Sequence, residues 1–144
     1  MVSFSVSLNP DSCDLYFRAF FASHPDVSPQ LADDLLRDFE LYKRYGRKPD
    51  YFGRDCRYDR PESIISSEIY HIHLDLVSPV PFNGQRVQFR QVSDTALVYT
   101  RGFFNEDAYS ILAVLEPAHT MASAGNNALM RTFQHYADTF RNQN

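Results

Sequence analysis

Ile69-Tyr70-His71-Ile72-His73-Leu74-Asp75-Leu76 decides the fold. Tyr70, Ile72, Leu74 and Leu76 alternate with His71, His73 and Asp75, which is the period of a strand with two unlike faces. One face is apolar; the other carries two imidazoles and a carboxylate. Downstream, Ala96-Leu97-Val98-Tyr99-Thr100 predicts a returning strand. Tyr109-Ser110-Ile111-Leu112-Ala113-Val114-Leu115 predicts another, with the continuous apolar character of a strand buried on both faces, closed by Pro117. Val87 to Val92 predicts one more, so that the links at Pro79–Gly84, Ser93–Thr95 and Gly102–Asp107 are all short. Short links imply antiparallel pairing, hence a meander.

Upstream, Phe4, Val6 and Leu8 alternate with serines, as in a strand buried on one side, and Asn9-Pro10-Asp11-Ser12 stops it. Asp14 to Phe21 predicts a short helix. Ser28-Pro29 predicts the start of a longer one, Ser28 as cap and Pro29 at the first helical position, with Leu31, Leu35, Phe39 and Tyr42 on one face and Gly46 ending it in the left-handed conformation. A last helix is predicted from near Asn126, with Leu129, Met130, Phe133, Tyr136, Ala137 and Phe140 at helical spacing. The expected class is α+β: an antiparallel sheet of four to five strands with helices packed on one face and the other face free to bind.

Length and composition set the frame. A chain of 144 residues, 44% hydrophobic with twelve Phe and nine Tyr, predicts one domain with its own core. No apolar run is long enough for a membrane span, and two distant cysteines, Cys13 and Cys56, argue against a disulfide framework, so a cytoplasmic protein is expected.

The net charge is −4, yet half of the 14 Lys and Arg residues lie between Lys43 and Arg60. Lys43, Arg44, Arg47, Lys48, Arg54, Arg57 and Arg60 face three acids there, Asp50, Asp55 and Asp59, and are mixed with Tyr45, Tyr51, Phe52 and Tyr58. Such a loop suits a polyanion whose bases stack on aromatic faces while cations hold its backbone; a solvated charge run is the plainer reading. Gly53 reads as a positive-φ residue making Phe52-Gly53-Arg54-Asp55 a turn.

His71-x-His73 admits two chemistries. The pair can bind a metal with His119 or Asp75, or act as general base and acid without one. A histidine on a strand can also simply hydrogen-bond across the sheet. Arg90 and Tyr99, both on predicted strands, are candidates to stabilise a phosphorane-like transition state and to orient the scissile group, surface display being the alternative.

Tyr42-Lys43-Arg44-x-Gly46-x-x-Pro49-Asp50-x-Phe52-Gly53-Arg54-Asp55-x-x-Tyr58-Asp59 resembles the signature of YafO-type toxins, mRNA-cleaving members of bacterial type II toxin–antitoxin pairs. The resemblance continues in order through His71-Ile72-His73-Leu74, Arg90, Leu97-Val98-Tyr99, Gly102, Pro117, His119, Ala122 and Asn126-Asn127 to Phe140-Arg141, covering about residues 30 to 141. It implies a toxin that cleaves translated mRNA at the ribosome and is silenced by a cognate antitoxin, with neither metal nor other cofactor. The strand order is also compatible with a RelE-like toxin fold, by analogy. The expected mechanism is metal-independent attack of the ribose 2′-hydroxyl on the adjacent phosphate, with His71 or His73 as base or acid, Arg54 and Arg90 on the phosphate, Tyr99 orienting, and Asp55 holding Arg54 or a histidine. Lys43, Arg44, Arg47, Lys48, Arg57, Tyr58 and His119 are the expected RNA contacts. Relative to shorter members of that family, residues 9–27 read as an insertion bearing Leu15, Phe17, Phe20 and Phe21, and the low net charge fits an enzyme positioned by the ribosome. A noncatalytic RNA- or protein-binding module, or a metalloenzyme on His71, His73 and His119, are the competing expectations.

Overall fold

The computed structural model describes residues 3–123 and 127–144. Strand β1 spans Ser5–Leu8, and a π-helical turn at Asp14–Arg18 runs into the short helix α1, Ala19–Ser23. Helix α2, Gln30–Tyr45, begins as its sequence demands: Pro29 already has helical φ and ψ, and the Ser28 hydroxyl oxygen accepts from the Gln30 N–H at 3.3 Å. Gly46, at φ 71°, ends it, its N–H donating to the Tyr42 carbonyl. Strands β2 (Phe52–Arg57), β3 (Tyr70–Leu74), β4 (Ala96–Arg101) and β5 (Ala108–Leu115) follow, then α3 (Ala118–Met121) and α4 (Asn127–Gln143). Asn126, where the last helix was expected to begin, lies outside the described residues.

The strands form one sheet in the order β1-β5-β4-β3-β2. Pairing is antiparallel from β2 to β5, as the short links require, but β1 lies parallel to β5 along the edge of the sheet. The sheet is therefore mixed. Helices cover both faces, which corrects the expectation of one covered face. On one side Leu35 and Phe39 of α2, with Phe17 and Phe20, bury Phe52, Ile72, Leu74, Leu97, Tyr99 and Ile111. On the other, Met130, Phe133 and Ala137 of α4 bury Ala96, Val98, Leu112, Ala113 and Leu115. The reason is in β5 itself: its unbroken apolar run from Ile111 to Leu115 needs a dry partner on each side.

Three further expectations are overturned. The basic stretch is not a loop throughout, because Phe52–Arg57 is the edge strand β2. Gly53 does not serve a turn with positive φ; its own φ lies outside that region, and it is glycine because the chain at Gln91 presses against it. A Cβ there would fall 2.6 Å from Phe82 Cζ and closer still to the Gln91 carbonyl oxygen. Val87 to Val92 does not form a strand. It wraps β2 with a 3₁₀ turn at Gln88–Arg90, tied by the Arg54 N–H donating to the Gln91 carbonyl at 2.8 Å.

Candidate active site

In the β2–β3–β4 register Cys56 lies opposite His71, which lies opposite Val98, and His73 lies opposite Ala96. Directly opposed residues share a face. Both histidines therefore point to the α4 side, where α3 brings His119 beside them. The ring centroids of His71 and His73 are 5.4 Å apart, and those of His73 and His119 5.6 Å. With Tyr58, Ala96, Ala118 and Ala122 they line an open pocket of about 140 Å³.

The three imidazoles sit in different environments. His71 stacks on Tyr58 with centroids 3.9 Å apart, its Nε2 lies 3.6 Å from the Cys56 thiol, and its Nδ1 is buried with no partner. Burial, reinforced by the neighbouring His73, holds its pKa down at about 4, so it is neutral at pH 7. Burial also lowers the pKa of His73, with His119 and Arg54 adding to the effect. His73 Nδ1 is 2.9 Å from both the N–H and the carbonyl of Ser93, so one hydrogen bond forms at a time and Nε2 takes the opposite role. His119 is the exposed member, with 69% of its side chain accessible. Its Nδ1 donates to Asp94 Oδ1 at 2.8 Å, and its backbone N–H donates to the same oxygen at 2.9 Å. That carboxylate orients the ring and leaves Nε2 as the exchangeable nitrogen.

Asp55 and Tyr99 are elsewhere. Asp55 lies opposite Ile72 and so faces α2, where it accepts from Tyr42 Oη at 2.9 Å, Lys43 Nζ at 2.5 Å and Tyr99 Oη at 2.6 Å. Tyr99 is 2% exposed. The sheet stands between this cluster and the imidazoles. Asp75 is also spoken for, accepting from the N–H groups of Val77, Ser78 and Phe82.

Arg54 joins the two regions. Its Nε donates to the Phe89 carbonyl at 2.6 Å, its guanidinium lies 4.0 Å from the centre of the Phe89 ring, and its charge opposes protonation of His73. Arg90 sits not on a strand but in the exposed 3₁₀ turn that carries Phe89. Of the expected RNA contacts, Lys43 is consumed by Asp55, and Lys48 donates to the Phe52 carbonyl at 2.6 Å while burial lowers its pKa. Arg44, Arg47 and Arg57 are exposed, Arg44 lying 3.6 Å from Glu40 and Arg47 over the Tyr45 ring. Tyr58 is a wall of the pocket, its hydroxyl buried and unpartnered.

Among the described residues no three His, Cys, Asp or Glu side chains are grouped as metal ligands would be. Sequence reasoning missed Asp94 and Ser93, which fix His119 and His73. Both stand in the short link before β4, and only the folding of α3 onto that link connects residue 94 with residue 119, through the Ala118 N–H donating to the Asp94 carbonyl at 2.8 Å.

The sequence that forms this α+β chain falls within a described class of toxins. The family model for the toxin YafO of type II toxin–antitoxin systems matches residues 40–142, and the chain belongs to that family. It is 39% identical over 113 residues to the mRNA interferase toxin YafO of Escherichia coli (strain K12), covering 76% of this chain and 84% of that protein. No solved structure matches. Among the described residues no helix is long and apolar enough to cross a membrane.

Proposed function

We propose that the chain is an endoribonuclease that cleaves mRNA under translation at the ribosome by metal-independent attack of the ribose 2′-hydroxyl. It acts in the cytoplasm, is silenced by a cognate antitoxin, and is built as a single toxin domain to which residues 9–27 are an addition. The relative named an mRNA interferase supports the reaction class. The observation that carries it is the open pocket with three imidazoles in unlike environments beside Arg54.

His73 is assigned as the base. Accepting the Ser93 N–H at Nδ1 puts its proton on Nε2, and donating to the Ser93 carbonyl frees Nε2 to take one. In the second form it removes the 2′-hydroxyl proton, the oxygen attacks the adjacent phosphorus, and the P–O5′ bond breaks. His119, held by Asp94 and protonated at Nε2, delivers the proton to the leaving 5′-oxygen. Arg54 and Arg90 offset charge developing on the phosphate. His71 stays neutral against Tyr58 and keeps positive charge off the pocket floor. Asp55 and Tyr99 brace the sheet that positions the site and take no part in the proton transfers. The exposed Arg44, Arg47 and Arg57 are assigned to backbone phosphates, Arg44 exchanging its surface pair with Glu40 for one.

The products distinguish this chemistry. In a reconstituted translation reaction, attack by the 2′-oxygen leaves a 2′,3′-cyclic phosphate and a 5′-hydroxyl. Fragments with a 5′-phosphate would refute it, and intact mRNA alongside growth arrest would favour a noncatalytic RNA- or protein-binding module.

A further inference from the structure

Phe89 is an aromatic ring held out in solvent. It is 68% exposed, yet its turn is tightly fastened: Gln88 Nε2 donates to the Gly53 carbonyl at 3.0 Å and to Tyr42 Oη at 3.1 Å, and Gln91 accepts from Arg54. The glycine at 53 lets that turn approach β2 at all. The turn covers β2, but exposing a large apolar side chain at its tip gains no burial, so folding alone does not call for a ring there. One face of the ring is taken by the Arg54 guanidinium at 4.0 Å, and beside them Tyr42, Arg54, Asp55, Gln88 and Phe89 line a cavity of about 230 Å³. The carboxylate of Asp55 in that cavity is neutralised by Lys43. No acid occurs between Asp75 and Asp94, whereas Arg86 and Arg90 do, so the segment carrying Phe89 is purely cationic.

We propose that Phe89, backed by Arg54, is a stacking platform for an unpaired nucleobase of an RNA strand lying next to the histidine pocket. A π-face accepts any base, the guanidinium behind it strengthens the stack, and the flanking arginines hold phosphates. The location deepens the ribonuclease reading and rests on it for the meaning of the neighbouring pocket; the stacking itself does not. Exposed Val87 and Val92 nearby would also suit a protein partner, but a single fixed ring with a guanidinium against one face and the other face open matches a flat nucleobase better than a protein side chain.

The test is titration of a single-stranded, fully 2′-O-methylated RNA hexamer containing 2-aminopurine into the full chain, read by fluorescence. Such RNA cannot be cleaved, so failure of the cleavage mechanism would leave this result standing. Wild type quenches the fluorophore, Phe89→Tyr binds alike, and Phe89→Leu, with unchanged thermal unfolding, binds at least about fivefold more weakly, the low end of what one base stack contributes. Absence of quenching by wild type overturns the proposal, as does Phe89→Leu binding like wild type. Loss of antitoxin capture by Phe89→Leu with RNA binding intact would overturn it too, assigning the ring to a protein interface.

Discussion

Replacing Asp55 by Ala removes the one anion that satisfies Lys43, Tyr42 and Tyr99 together. The side chains of Lys43 and Asp55 are only 17% and 11% accessible, so water reaches the orphaned ammonium poorly. Breaking a buried pair by removing one partner costs about 3–5 kcal/mol, and two phenols lose an acceptor besides. These losses overlap, so the expected total for Asp55→Ala stays at about 3–5 kcal/mol, roughly a 10 °C fall in Tm for a chain of this size. Urea unfolding of wild type, Lys43→Met, Asp55→Ala and the double variant measures it as a cycle. The double variant should be more stable than the sum of the single losses predicts, with a coupling of about 1–3 kcal/mol. Folded Asp55→Asn should retain RNA cleavage, because the sheet separates this cluster from the imidazoles. A loss below about 1 kcal/mol for Asp55→Ala with an unchanged m-value would refute the reasoning.

Three other outcomes follow from the geometry. With its pKa held at about 4 in the folded state against about 6.5 unfolded, His71 contributes stability that is complete above pH 6.5 and is lost as pH falls toward 4; the loss is on the order of 3 kcal/mol, and urea midpoints across this window should show it shrinking in His71→Phe. Gly53→Ala forces the Gln91 carbonyl and Phe82 away from β2, and should cost about 2 kcal/mol or more by thermal unfolding while weakening the stacking at Phe89. Asp94→Asn leaves His119 without its carboxylate and should slow cleavage roughly tenfold or more, with no comparable loss in RNA affinity by the fluorescence titration.

How far the sequence carried the fold is clearest at β3. Strict alternation set Ile72 and Leu74 into one core and His71 and His73 toward the pocket, as expected. Helix α2 was equally legible, because Ser28, Pro29 and Gly46 act within one turn of where they stand. Strand β2 was not: an edge strand tolerates Arg54, Asp55 and Arg57, and these charges hid its pattern. The parallel placement of β1 was hidden as well, since Ser5–Leu8 says only that one face is buried, not which strand lies alongside. Cover on both faces was implied by the apolar run of β5 but not by the expectation of one free face. At the site, two of the three imidazoles came from a single local pattern. Tyr58, Ser93 and Asp94 join them through long-range packing, which no spacing in the chain encodes. Asp55 and Tyr99 were separated from the histidines by alternation alone: Asp55 pairs with Ile72, and its neighbour Cys56 with His71.

The proposed cleavage of translated mRNA by the histidine pocket is decided by inducing wild type and a His73→Gln/His119→Gln variant in a bacterial host and mapping mRNA 5′ ends before and after. Wild type should arrest growth and produce new ends confined to translated messages, whereas the variant, folded by circular dichroism and captured by the antitoxin, should produce none. New ends of equal abundance with that folded variant would contradict the claim and move the chemistry away from this pocket.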